Sequence, residues 1–181
     1  MFVLAVVIIV PIKLFLFQPF IVRGISMEPT FSESEYLITN EFGYKQTDIK
    51  LFGKELFDVS PSKEFDRYDV VVFRSPMKDK EFYIKRIIGL PGETVEVKDG
   101  EVTIYNDEFQ DGLVLDESDH LPEGRKTNGM STFVLSEDEY FVMGDNRMHS
   151  SDSRSFGPVN KSEFIGKVLL RAWPFKRFNV F

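Results

Sequence analysis

Two residues of this 181-residue chain have the type and setting of a nucleophile and its base, Ser26 and Lys85. Ser26 sits in Val22-Arg23-Gly24-Ile25-Ser26-Met27-Glu28-Pro29-Thr30, between a glycine and a Met-x-Pro turn. A serine hydroxyl is a weak nucleophile until a neighbouring base takes its proton. Only two histidines are present, His120 and His149, and no His-Asp pair is placed to serve it. Lys85 lies in Phe82-Tyr83-Ile84-Lys85-Arg86-Ile87-Ile88-Gly89. Strand alternation puts Tyr83, Lys85 and Ile87 on one face and Phe82, Ile84, Arg86 and Ile88 on the other. Each face is apolar apart from one cation, which is not the pattern of a half-solvated strand. Burial disfavours the charged amine and drives its pKa from about 10.4 toward neutrality. A neutral amine can then act as a general base. Arg86 cannot, because guanidinium stays protonated. Ser-Lys pairs are a known variant of nucleophile activation. Read separately, Ser26 also fits an ordinary turn residue, and Lys85 a lysine that snorkels from a sheet edge.

A third constellation is Gly144-Asp145-Asn146-Arg147 with Ser150-Ser151-Asp152-Ser153-Arg154. Small polar residues with alternating charges suit a tightly hydrogen-bonded loop, though a solvated turn has the same composition. The run Asp116-Glu117-Ser118-Asp119-His120 matches no metal-ligand spacing and reads as a solvated loop.

These residues must be held by the elements around them. Met1 to Phe17 is apolar except for Lys13 and is interrupted by Pro11. As a helix it would span about 25 Å, slightly short of the ~30 Å hydrocarbon core, and continuing to Val22 makes up the length. A cleaved signal peptide would need a basic start and a small-x-small site, and neither is present. A buried core helix is the other rival. The expected element is a membrane anchor, residues 1–19. The flanking charges do not fix its orientation.

Beyond Arg23 the pattern is mostly strands. Tyr36 to Thr39, Asp69 to Phe73 and Phe82 to Ile88 are β-branched and aromatic runs bounded by turn residues. Thr94 to Val97 and Glu101 to Ile104 flank an Asp-Gly pair, which predicts a hairpin. Thr132 to Leu135, Tyr140 to Met143 and Lys167 to Arg171 complete the set. Asn106 to Met130 turns polar and acidic and reads as a loop-rich insertion, and Thr47 to Lys63 lacks clean periodicity. The expected architecture is a membrane-tethered, mainly antiparallel β domain over residues 20–181.

Composition narrows the chemistry. With no cysteine, disulfides, thiolate zinc sites and cysteine nucleophiles are excluded, and two histidines exclude a histidine-rich metal site. A formal net charge of −7 argues against a nucleic-acid binder with a basic surface. Hydrophobic content of 43% supports a folded core.

Together these segments resemble the bacterial type I signal peptidases, the Ser-Lys leader peptidases of family S26. The matching stretches are Gly24 to Thr30, Arg67-Tyr68-Asp69-Val70-Val71-Val72-Phe73, Tyr83 to Gly92, and Gly144 to Arg147 through Ser150, Asp152, Ser153 and Arg154. They occur in the family's order, after a hydrophobic anchor. Any one of them is weak, and all four in order are specific. The resemblance implies a mainly antiparallel β catalytic domain with a smaller inserted region, placed within residues 106–130, on one N-terminal transmembrane helix. It implies Ser26 as nucleophile and Lys85 as general base. Ser150 would orient the Lys85 amine, while Arg86 pairs with Asp145 and Asp152 with Arg154. The Ser26 backbone N–H would supply one oxyanion donor. Many members place a serine hydroxyl two residues before the nucleophile as a second donor. Here that position is Gly24, so a backbone group or water is expected instead.

Phe20, Val22, Met27, Phe31, Tyr83 and Ile84 match positions that line the family's shallow apolar substrate pockets. The implied activity is removal of signal peptides from exported preproteins after small residues, as in Ala-x-Ala. No cofactor or metal is implied, and no nucleic acid. The implied partners are preprotein signal peptides, membrane lipid and the nearby export machinery. The implied location is the bacterial cytoplasmic membrane, single-pass, with the catalytic domain on its outer face. A specialised maturation peptidase of the same superfamily, for pilins or conjugation proteins, is an enzymatic alternative. Self-cleaving repressor-type proteases are disfavoured by the anchor, and an inactive membrane-tethered β module by the intact Ser26, Lys85 and Ser150.

Overall fold

The computed structural model describes residues 17–44, 47–51, 54–59 and 62–181. The expected anchor lies almost wholly outside these residues. Among the described residues no helix is long and apolar enough to cross a membrane. The strand β1, Phe17–Ile21, already belongs to a sheet. Residues 17–19, assigned above to the anchor, are therefore part of the β structure.

The principal sheet is antiparallel. Its order begins at β1 and continues through β2 (Tyr36–Asn40), β13 (Phe164–Trp173), β5 (Val70–Arg74), β6 (Phe82–Gly89), β11 (Glu139–Met143) and β12 (Val159–Asn160). A short β14, Asn179–Val180, pairs with β13. The β-branched run of β5 and the apolar residues of β6 are buried on both sides, which explains their near-continuous hydrophobicity. On one face Val70, Val72 and Ile84 pack with Val22, Leu37 and Val168. On the other, Val71, Phe73 and Ile87 pack with Phe65, Tyr140 and Phe164. The sheet curls, so that β1 returns to the start of β6 and the Phe20 and Phe82 rings meet edge-on at 5.4 Å.

The second sheet has the order β10-β7-β8-β9. It is built from β7 (Thr94–Lys98), β8 (Glu101–Tyr105), β9 (Leu113–Val114) and β10 (Ser131–Val134). The predicted hairpin is its centre: Val95, Val97, Val102 and Ile104 alternate onto one buried face and pack on Ile88, Phe141 and Met143. The inserted unit therefore extends from Thr94 to Val134, well beyond the residues 106–130 expected from polarity. That segment also sends Leu115, His120 and Thr127 inside. Between β2 and β5, β3 (Thr47–Leu51) and β4 (Lys54–Val59) form a two-stranded hairpin where the sequence lacks periodicity. β13 runs longer than the predicted Lys167 to Arg171, through Gly166 and up to the residue before Pro174.

Candidate active site

Ser26 is presented by a turn that follows β1. Gly24 there has φ +79°, a left-handed conformation that glycine adopts without steric cost. Its amide donates to Glu33 Oε1 at 3.4 Å. The Glu28 N–H donates to Ile25 O (3.2 Å) and the Phe31 N–H to Met27 O (2.9 Å), which closes the turn on itself. From across the site Asn146 gives its backbone N–H to Ser26 O (3.0 Å) and its side-chain Nδ2 to Ile25 O (3.1 Å). The peptide segment Ile25-Ser26 is thus clamped by one residue of the Gly144–Arg154 loop.

Lys85 reaches this serine from the middle of β6. Its Nζ lies 2.8 Å from Ser26 Oγ and 3.0 Å from Ile84 O, and 5.5 Å from the Tyr83 ring centre. The residue is only 4% exposed, and among the described residues no carboxylate ion-pairs with it. Burial dominates and pulls its pKa down from 10.5 to about 8. The nearby charges of Asp152 and Asp145 partly offset this, and Arg154 adds to it. About a tenth of the amine is then neutral at pH 7 and about half at pH 8. In that form the amine has a free lone pair 2.8 Å from the Ser26 hydroxyl, the geometry a general base needs.

Arg86, the next residue, points to the opposite face and meets a full partner. Its Nε and Nη2 donate to the two oxygens of Asp145 at 2.8 and 2.7 Å, and its Nη1 to Tyr68 O at 2.8 Å. Asp145 is 0% exposed, so this fork-to-fork pair is fully desolvated on the acid side. Asp152 accepts from Arg154 Nε and Nη2, both at 2.8 Å, and from the Gly144 amide at 3.0 Å. It also caps the short helix α1, Ser153–Phe156. Burial opposes ionisation of Asp152, but the Arg154 guanidinium and the Gly144 amide outweigh it and hold the carboxyl below its usual range. Gly144 has no room for a side chain: a Cβ there would collide with Ser150 Oγ and Ser26 O.

The expected pairs Arg86–Asp145 and Asp152–Arg154 both form. Ser150 differs from expectation. Its hydroxyl is buried beside Gly144 and makes no hydrogen bond to Lys85, whose amine is engaged by Ser26 and Ile84. Beside Ser26 and Lys85 opens a cleft of ≈ 550 Å³. Phe20, Val22, Tyr83 and Ile84 line it together with Leu37 and Val72, as expected for the first four. Met27 and Phe31 do not line it. They are 1% and 0% exposed and sit in the apolar cluster under the turn, because the turn folds them inward.

Other participants escaped the sequence reading. Asn146 was visible only as a letter in a motif. Glu117, expected in a solvated loop, is buried. It takes both Nη atoms of the buried Arg147, which also donates to Thr127 Oγ1 at 2.5 Å and to Gly144 O at 3.1 Å. Despite its burial, Arg147 and His120 hold the Glu117 carboxyl down at about 2. The segment between β9 and β10 is thereby locked onto the Gly144–Arg154 loop.

A family model described as signal peptidase, peptidase S26, matches residues 1–173. Signal peptidase I P of Bacillus subtilis subsp. natto is 34% identical over 177 residues, covering 96% of this chain and 86% of that protein. Signal peptidase IB of Staphylococcus aureus is 30% identical over 185 residues, covering 96% and 87%. A solved signal peptidase I from Enterococcus faecalis is 32% identical and covers 58% of this chain and 97% of its own, with a TM-score of 0.48. By the extent of the family match and of the Bacillus and Staphylococcus relatives, the chain belongs to the S26 family of signal peptidases.

Proposed function

We propose that this protein is a serine endopeptidase that removes N-terminal signal peptides from exported preproteins, using Ser26 and Lys85 as its dyad. The observation that carries the reading is the 2.8 Å contact between Ser26 Oγ and a buried lysine amine with its pKa near 8. Neutral Lys85 takes the Ser26 proton as Oγ attacks the scissile carbonyl carbon. The negative charge on the carbonyl oxygen is received by the Ser26 backbone N–H. The tetrahedral species collapses, the Lys85 ammonium protonates the leaving amine, and an acyl-enzyme remains. Water, deprotonated by Lys85, then attacks the ester, and Ser26 regains its proton. Asp145, Arg86, Asp152 and Arg154 hold the loop around the dyad, and Ser150 supports it through Gly144.

The substrate enters as an extended strand. β11 pairs with β6 only from Arg86 onward, so Phe82 to Lys85 carry an edge with no described strand partner. A peptide added there by main-chain hydrogen bonds places alternate side chains toward Val22, Leu37, Val72 and Ile84. That shallow aliphatic floor suits small residues such as those of Ala-x-Ala. The segment preceding β1 anchors the enzyme in the cytoplasmic membrane, with the site on the outer face. In support, Ile21, Tyr36 and Trp173 form a row across three paired strands, each about half exposed, and Phe175 extends it.

The test is cleavage of a preprotein bearing an Ala-x-Ala site by full-length enzyme in detergent, with the product's new N-terminus sequenced. Cleavage after the second alanine, lost in Ser26→Ala and in Lys85→Ala, is expected. Near-wild-type turnover by Lys85→Ala would overturn the dyad.

A further inference from the structure

The turn carrying Ser26 is gripped from two sides, and only one of these grips belongs to the motif loop. On the other side lies the strap that follows β13: the 3-10 turn Phe175–Arg177, β14 and Phe181. Arg177 Nη1 is 2.6 Å from Glu35 Oε1 and donates to Ser32 Oγ at 2.9 Å, while its Nη2 donates to Pro29 O at 3.4 Å. Arg171 on β13 donates to Thr30 O at 2.7 Å and is 3.1 Å from Glu35 Oε2. Its guanidinium lies 5.1 and 5.6 Å from the centres of the Phe31 and Phe181 rings, which pack on each other at 4.8 Å. Phe181 is itself fixed by its N–H to Leu169 O at 2.9 Å. Glu35 is 3% exposed. Two guanidinium groups on one buried carboxylate thus reach three consecutive positions, Pro29 to Phe31, and Ser32 beyond.

We propose that Arg177 is a positioning residue for the nucleophile. Through the strap it fixes the C-terminal half of the Ser26 turn, so that Ser26 Oγ stays within reach of the Lys85 amine. This rests on the dyad reading above. The cleft is lined from β1, β2, β5, β6 and the first half of the turn, and includes neither the strap nor Pro29 to Ser32 that the strap holds. Loosening the strap should therefore slow the chemical step without weakening substrate binding.

The experiment compares full-length Arg177→Ala, Arg177→Lys and Lys176→Ala on one preprotein substrate, measuring kcat, KM, the pH profile and thermal unfolding. For Arg177→Ala, kcat falls roughly tenfold or more, since small misplacements of a reacting group are costly. KM stays within about twofold because the cleft is untouched. The pH midpoint moves up toward the ordinary lysine range, because a looser turn admits solvent to Lys85. Arg177→Lys restores the ion pair to Glu35 and the thermal midpoint but not kcat, because an ammonium lacks the planar fork that serves Ser32 and Pro29 together. Lys176→Ala, an exposed change on the same strap, behaves as wild type. Wild-type kcat in Arg177→Ala would overturn the proposal. So would a loss that Arg177→Lys fully repairs, or one that disappears when the assay is run well below the thermal midpoint. None of these outcomes touches the dyad, which fails only if Ser26→Ala or Lys85→Ala retains activity.

Discussion

Lys85 and Arg86 are consecutive cations on one strand, 4% and 9% exposed, and they have opposite surroundings. Arg86 is held by both oxygens of a fully buried aspartate. Lys85 has a hydroxyl and a carbonyl. A compensated cation stays charged and stabilises structure once its partner is present. An uncompensated one is pushed toward its neutral form and becomes reactive. Residue type reinforces the division. Guanidinium cannot lose its proton at working pH, whereas an ammonium shifts readily when buried.

The comparison breaks most visibly in activity. Lys85→Met should lower kcat by at least ~10³-fold, and Ser26→Ala by a similar amount, with the double variant no worse than either. Additive losses in preprotein cleavage would show that the two do not act as a unit. The next largest effect is on stability. Arg86→Met leaves Asp145 buried and unpaired, so denaturant titration should show a loss of about 3–5 kcal/mol.

The same substitution at Lys85 should act in the other direction. The Lys85 pKa is about 8 in the folded protein against 10.5 unfolded. Between those values the unfolded chain binds the extra proton, so stability rises with pH there. Below pH 8 the full penalty applies, about 3 kcal/mol. Lys85→Met therefore stabilises the protein near neutral pH, on the order of 2–3 kcal/mol, and the gain fades as pH rises to 10.5. A gain that persists at high pH would place its origin in packing instead of desolvated charge.

Two pH profiles sharpen the comparison further. Activity should rise with pH along one ionisation centred near 8, and a flat profile from pH 6 to 10 would count against Lys85 as base. The smallest expected effect is a shift of that midpoint. Asp152 favours the charged amine, so Asp152→Asn should move the midpoint to lower pH. A shift to higher pH would mean that solvent entry outweighs the lost carboxylate.

How much of this was legible in the sequence follows from the range of the interactions. Strand alternation is local, so Ile84, Lys85, Arg86 and Ile87 could be sorted to faces by counting. The hairpin around Asp99-Gly100 was equally local. Burial of Met27 and Phe31 was not, because a turn has no period and only the fold decides which side chains go under it. Glu117 looked solvated among acidic neighbours, and only the docking of the second sheet brings Arg147 to it. The Arg171 and Arg177 contacts to the serine turn join residues more than 140 positions apart. No spacing within a motif encodes such a contact.

The half-paired β6 has a consequence for how the enzyme rests. A strand edge left open for a peptide is equally open to any other strand, including that of a second molecule. Among the described residues this open edge is only four residues long, from Phe82 to Lys85, and the sheet turns into it through Lys78, Lys80 and Glu81. Short length and flanking charges are the features by which β proteins discourage edge-to-edge association. On the proposed strand-addition mode, the same edge that receives a peptide is thus protected from pairing with a second molecule.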